Sequence, residues 1–229
     1  MSRPVKRIVI VGGGTAGWIT AGLVAAEHDA ASESGVQVTL IESPDVGPIG
    51  VGEGTWPTMR GTLARLGIRE TDFVRECDAS FKQGTRFDRW CAGTPGDVYY
   101  HPFTLPNGYM KTNLADSWLA TGEDTPFADA VSAQSQLCAR GLAPKQAATP
   151  EYAAVVNYGY HLDAGKFAIL LQKQCTQSLG VRHILDHVTG VNNDEDGNIA
   201  SLDCKSHGQI EGDLFVDCTG FASLLLGKH

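Results

Sequence analysis

Four consecutive apolar residues, Ile8–Val11, run straight into Gly12-Gly13-Gly14-Thr15-Ala16-Gly17-Trp18. A short apolar run that stops at glycines predicts a buried strand, and the change of spacing after it predicts a helix over Thr15–Ala31. Val36–Ile41 then predicts a second strand, ending in Glu42, so residues 7–42 form a βαβ unit. Residues 43–56 are a loop rich in Gly and Pro. Helices follow over Thr58–Leu66, stopped by Gly67, and over Glu70–Cys77, with Thr71 as its cap. Phe81–Trp90 alternates as a strand does, and residues 93–127 are aromatic, irregular and punctuated by Gly and Pro, as a ligand-facing insertion is. A helix is expected over Asp129–Arg140 and a linker over 143–151. Asp163–Leu179 is an amphipathic helix carrying Phe167, Leu170, Leu171 and Cys175 on one face. Short strands follow at Val181–Leu185, Val188–Asn192, Ile199–Cys204 and 209–210, with Asp196-Gly197 as a hairpin turn. A last apolar strand from Leu214 ends in Cys218-Thr219-Gly220. The order strand–helix–strand followed by more strands defines an α/β, Rossmann-like fold with a small β-rich insertion, taken as 93–150, within one domain over 1–229.

The first turn has the spacing G-x-G-x-x-G. Gly12 permits a tight strand-to-helix turn, Gly14 lets a diphosphate approach the backbone, and Gly17 lets the helix lie close to the strand. The amides of Thr15 and Ala16 open the helix and face the same diphosphate with the helix dipole behind them. Glu42, with Ser43 after it, ends the second strand, where a carboxylate accepts hydrogen bonds from an unphosphorylated adenosine ribose. An ordinary glycine turn is the competing reading, and the acid at the end of the second strand weighs against it.

The chain has 229 residues, a net charge of −8 and a pI near 5.3, so no basic stripe is available for nucleic acid. The basic start is followed by an apolar run too short for a signal peptide or a membrane span. Six cysteines at 77, 91, 138, 175, 204 and 218 form no C-x-x-C and no zinc spacing. They are expected to be reduced thiols in a cytoplasmic protein with no metal.

Six segments in order, Gly-Gly-Gly-Thr-Ala-Gly-Trp (12–18), Val-Gly-Glu-Gly-Thr (51–55), Ser-Phe-Lys (80–82), Tyr-His-Pro-Phe (100–103), Tyr-His-Leu-Asp-Ala (160–164) and Asp-Leu-Phe-Val-Asp-Cys-Thr-Gly (213–220), resemble the flavin-dependent tryptophan halogenases. The resemblance runs along essentially the whole chain. It implies an FAD-binding fold of the aromatic-hydroxylase type and a reaction in which reduced FAD, O2 and chloride or bromide give hypohalous acid. A lysine, matched by Lys82, then delivers the halogen to an indole or tryptophan-like ring. An ammonium can hydrogen-bond that oxidant and an amine can form a haloamine, which is why such chemistry wants a lysine there. His101 and Phe103 match the aromatic-substrate pocket. Glu53 and Gly54 match a loop that touches the flavin, with Gly54 standing where the family often has alanine, and Val188 matches a position whose backbone meets the adenine. The resemblance also implies a separate flavin reductase as partner. The family's Trp-x-Trp-x-Ile-Pro motif, its glutamate partner for the lysine and its halide-binding Thr-Gly do not occur here. In the family they lie further along than Gly220, so the expectation is a C-terminally truncated, N-terminal portion of a halogenase. Two other readings stay open: an FAD-dependent aromatic monooxygenase, which has no need of Lys82, and a non-catalytic flavin-binding fragment. Oligomeric state, halide and ring position are not set by the sequence.

Overall fold

A computed structural model describes residues 4–47, 53–122 and 124–227. Along the chain it places β1 (Arg7–Val11), α1 (Thr15–Glu27), β2 (Gln37–Glu42), α2 (Met59–Arg65), α3 (Glu70–Glu76), β3 (Ser80–Lys82), β4 (Gly84–Asp88), β5 (Val98–Pro102) and α4 (Leu114–Thr121). It continues with α5 (Phe127–Val131), α6 (Gln134–Ala139), β6 (Gly159–His161), α7 (Ala164–Gln177), β7 (Arg182–Leu185), β8 (Val188–Asn193), β9 (Ile199–Cys204), β10 (Gly208–Glu211) and β11 (Leu214–Asp217). These elements form two compact units. The first takes residues 1–53, 62–78 and 163–229, and the second takes 54–61 and 79–162.

In the first unit four strands run parallel in the order β11-β1-β2-β7. Side chains alternate across a strand, so each face carries its own apolar set. Val9, Val11, Ile41 and Ile184 pack with Leu202, Cys204, Ile210 and Leu225, which brings the antiparallel sheet β10-β9-β8 against that face. Ile8, Ile10, Val38 and Leu40 alternate with the first set and are also buried. α1 and α7 pack together, and Gly22 lets them close: a Cβ there would lie 2.6 Å from Leu66 Cδ2 and 3.0 Å from Cys175 Sγ. The Asp163 carboxylate caps α7 by accepting from the Lys166 N–H at 2.8 Å. Arg7 ties the entry of β1 to that of β11, bonding Asp213 at 3.0 Å and Glu211 at 2.6 Å. The Arg7 guanidinium holds the Asp213 carboxyl below the usual range, with the backbone N–H groups of Lys6 and Arg7 adding to the effect.

The second unit is built from two short antiparallel pairs, β3 with β6 and β4 with β5, and three short helices. Several expected boundaries shift here and in the first unit. The single strand expected over 81–90 is two, because β3 and β4 serve different partners. Gly84 at the break sits where a Cβ would meet His101 O at 2.5 Å. The helix expected over 129–140 is interrupted at Ser132, whose backbone is extended. The irregular stretch 93–127 contains β5 and α4. The latter is capped by Asn113, which accepts from the Asp116 N–H at 3.3 Å, and is stopped by left-handed Gly122. Helix α1 ends at Glu27, short of Ala31, because Asp29 turns left-handed (φ 54°). Arg69, not Thr71, precedes α3.

All six cysteines are free thiols. Burial pushes the Cys77 thiol up to about 12, with the Glu76, Asp163 and Asp78 carboxylates adding to it, and burial alone does the same for Cys175. Among the described residues no group of His, Cys, Asp and Glu is arranged for a metal, and no helix is long and apolar enough to cross a membrane.

After β11 the chain is knitted by one carboxylate. Asp217 accepts four hydrogen bonds, from Thr219 N (3.0 Å), Thr219 Oγ1 (2.6 Å), Leu225 N (2.8 Å) and Leu226 N (3.0 Å). Burial works to raise its pKa, but the Thr219 hydroxyl and the backbone N–H groups outweigh it and hold the carboxyl down at about 2. A depressed carboxylate stabilises the fold fully above its ordinary value of 3.8, and that contribution is lost as pH falls through about 2. Asp217→Asn is therefore expected to cost about 1–3 kcal/mol at pH 7. The gap in melting temperature from the parent should shrink as the pH is taken down toward 2. Thermal melts across pH 2–7 check it, and a gap independent of pH would contradict it.

Candidate functional site

The turn between β1 and α1 is closed by missing side chains. A Cβ on Gly12 (φ +117°) would stand 2.3 Å from Cys218 O, and one on Gly17 would stand 1.8 Å from Gly12 O. Gly17, expected to let the helix lie close to the strand, makes that close contact with the turn's own carbonyl. Gly13 carries a role that the spacing rule leaves out. Its Cβ would fall 2.1 Å from Glu42 Cδ, so only glycine lets the Glu42 side chain lie across the turn. Gly14 differs from all three, because nothing lies within 4 Å of where its Cβ would be. It precedes α1 as the N-cap residue with extended backbone, and no side chain caps that end. The open side of the turn is thus lined by backbone at Gly14, Thr15 and Ala16, which fits a diphosphate at a helix N-terminus.

Glu42 ends β2 with its side chain one-quarter exposed. Ser43 follows, its hydroxyl 3.3 Å from His187 Nδ1 and accepting from the Asp45 N–H at 3.4 Å. Val188 opens β8, pairs with Cys204 and packs on the buried cluster. Glu53 is exposed, and its preceding neighbours 48–52 in the glycine-rich loop lie outside the described residues. Asp186, between β7 and β8, is the buried acid of this region. Burial opposes its charge, but the His207 side chain and the N–H groups of Ser206, His187 and His207 hold its carboxyl well below the usual range.

The second unit gathers Lys82, His101, Phe103 and Gly54. Lys82 ends β3, where it pairs with Gly159 of β6, and its Nζ lies 5.7 Å from the Phe103 ring centre. A Cβ on Gly54 would come within 3.2 Å of Lys82 Nζ and 3.5 Å of His161 Nδ1, so this glycine lies directly beside both side-chain ends. Lys82, His101, His161, Gln134, Ser135 and Arg86 line a cleft of about 390 Å³. His101 is exposed, whereas Phe103 is only 7% exposed. Both rings meet Trp56, at 6.4 Å and 5.4 Å between centroids, so the alternation that predicted one shared face holds. The ring on that face is the chain's own indole.

Three side chains that the sequence did not single out hold this arrangement. Gln134, 1% exposed, accepts from Thr104 N at 2.7 Å and donates to Asn157 O at 2.6 Å. Asn157 donates to Phe103 O at 3.0 Å. Arg60 donates to Asn157 Oδ1 and to Tyr152 O and lies over the Tyr158 ring at 4.4 Å. Isolated polar residues in irregular chain give no periodic signal, so nothing in the sequence marked them.

The glycine turn, the acid-ended second strand and the parallel sheet define a Rossmann-like FAD-binding fold. The tryptophan halogenase family model matches residues 7–229, and the chain belongs to that family. It is 36% identical over 247 residues to tryptophan 6-halogenase ThaL of Streptomyces albogriseolus, covering 100% of this chain and 45% of that protein. It is 34% identical over 244 residues to tryptophan 7-halogenase RebH of Lentzea aerocolonigenes, with the same coverages of 100% and 45%. Among solved structures it is similar to a tryptophan halogenase from Shewanella frigidimarina NCIMB 400, with TM-score 0.93, 54% identity, and 99% of this chain and 45% of that one covered. A flavin-dependent halogenase from Xanthomonas campestris, Xcc4156, matches with TM-score 0.83 and 34% identity over 98% of this chain and 44% of that one. The chain spans about half the length of the relatives that it matches.

The glycines divide by what surrounds them, and the division is measurable. Gly17→Ala and Gly13→Ala force backbone or Glu42 to move and should lower the melting temperature by several degrees. Gly14→Ala, facing open space, should melt within about a degree of the parent. Differential scanning fluorimetry of the three variants checks this, and equal losses at all three would contradict it.

Proposed function

We propose that this chain supplies the FAD-holding and halogen-delivering parts of a flavin-dependent halogenase acting on an indole-like aromatic ring. The observation that carries the reading is Lys82, set in a polar cleft beside His101 with its ammonium 5.7 Å from the Phe103 ring. Gly12, Gly14, Thr15, Ala16 and Gly17 would hold the diphosphate and Glu42 the adenosine ribose. Ser43 and the Val188 backbone would hold the adenine end, and Glu53 and Gly54 the flavin end. The open side of Gly14 fits that group, since a diphosphate needs backbone without a side chain in front of it. Reduced FAD, when bound, supplies with O2 and a chloride or bromide the hypohalous oxidant. A separate flavin reductase in the cytoplasm is the matching source of reduced cofactor.

The chain's own part begins with Lys82. Its Nζ can donate hydrogen bonds to the oxidant, or as a free amine take the halogen from hypohalous acid as the O–halogen bond breaks and the displaced proton leaves with hydroxide as water, and either fixes the halogen at one place. His101, which is exposed, would meet a flat, electron-rich ring by its face, and Phe103, 7% exposed and beside the Trp56 ring, would border that position. The network of Gln134, Asn157 and Arg60 holds Phe103 from behind.

Lys82→Ala in the full-length protein, supplied with reductase, halide and an indole substrate, separates the readings. Halogenated product should fall by at least about a hundredfold, while oxidation of reduced flavin continues near the parent rate. Product at a comparable rate would remove Lys82 from the mechanism. Oxygenated product that survives the substitution would favour an aromatic monooxygenase.

A further inference from the structure

Glu42 is enclosed on two sides, and the second side is histidine. His183 lies on β7, paired in register with Leu40, so its side chain stands on the face of the sheet that also carries Glu42. The His183 ring is held in place from two directions. Trp18 of α1 meets it edge-on at 5.0 Å between centroids, and the Gln172 amide of α7 donates to Nδ1 at 3.2 Å. A neutral ring that accepts at Nδ1 carries its hydrogen on Nε2. That Nε2 is buried and stands 2.9 Å from Glu42 Oε2, off the line of a good hydrogen bond and with no other partner. From the opposite side the Glu42 carboxyl lies over Gly13, where a Cβ would approach to 2.1 Å.

We propose that His183 is a positioning residue that holds the Glu42 carboxylate as the acceptor for the vicinal diol of an adenosine ribose. The inference rests on the FAD reading of the site and goes beyond it by naming what fixes the acceptor. A buried N–H with one carboxylate oxygen in reach is costly to leave alone, so it keeps that oxygen near. A carboxylate has about four acceptor positions. His183 takes at most one, and the quarter-exposed remainder faces outward for two hydroxyls. Glutamate alone has three rotatable bonds and would lose entropy on fixing itself to a diol. The Gly13 floor and the His183 wall remove that freedom before the ligand arrives.

The test uses the full-length protein with ADP and 2′-deoxy-ADP as probes, each titrated by calorimetry. The parent is expected to bind ADP about tenfold more tightly than the deoxy analogue, the size of one hydrogen bond to a charged group. His183→Leu should weaken ADP about tenfold and 2′-deoxy-ADP by no more than about twofold, so that the discrimination collapses. His183→Gln keeps an N–H donor and should restore most of it. Adding His183→Leu to Glu42→Gln should cost little further, because both substitutions act through the same carboxylate–diol contact. Equal weakening of both nucleotides by His183→Leu would show a structural role and overturn the proposal. A parent that binds FAD and does not discriminate the two nucleotides would overturn the role of Glu42 as well. A parent that binds neither nucleotide nor FAD would overturn the FAD reading itself.

Discussion

The approach of the Gly12 carbonyl to the Cα of Gly17 is the constraint on which the rest of the first unit depends. With 1.8 Å between that oxygen and a hypothetical Cβ, no other residue closes the turn without moving backbone. The same turn sits against Cys218 at the end of β11 and against Glu42 at the end of β2. Three parallel strands therefore end at one point, around a helix start whose amides have no side-chain cap. The unfilled side of that point is at Gly14. The turn is tight where protein touches protein and open where a ligand is needed.

The second unit solves a different problem with different means. Its strands are short, so hydrogen bonds from buried polar side chains do what a long ladder does elsewhere. Thr55 exchanges bonds with Tyr160, its N–H donating to the carbonyl at 2.8 Å and its hydroxyl accepting from the N–H at 2.9 Å. Gln134 and Asn157 fix the chain around Phe103. Buried polar networks of this kind hold one arrangement because each member left unpaired is costly. The result is a cleft lined by Lys82 and His101, with the Phe103 ring 5.7 Å from the Lys82 ammonium and the exposed Trp56 indole against both His101 and Phe103.

What was legible in the sequence followed from periodicity and from glycine. The β1–α1–β2 unit, the amphipathic helix α7 and the hairpin at Asp196-Gly197 are where the pattern placed them, because each carries a clear apolar period or a local turn signal. Gly12, Gly14, Gly17 and Glu42 meet at one turn for the same reason. Where two short strands take different partners, as β3 and β4 do, alternation alone reads through the break. Asn113 and Gly122 were cap signals inside a stretch whose aromatic content concealed them. Gly13 and His183 had no signal at all. Their roles exist only once β2, β7 and the turn lie side by side.

The claim that the glycine turn holds a dinucleotide is tested most directly by Gly14→Val. Its backbone (φ −71°, ψ 176°) admits a branched residue, and no protein atom lies in the way. The variant is therefore expected to fold with the parent's melting temperature and yet lose FAD affinity by at least about a hundredfold, since the new side chain occupies the approach to the backbone. An unchanged dissociation constant for FAD in a well-folded variant would contradict the account.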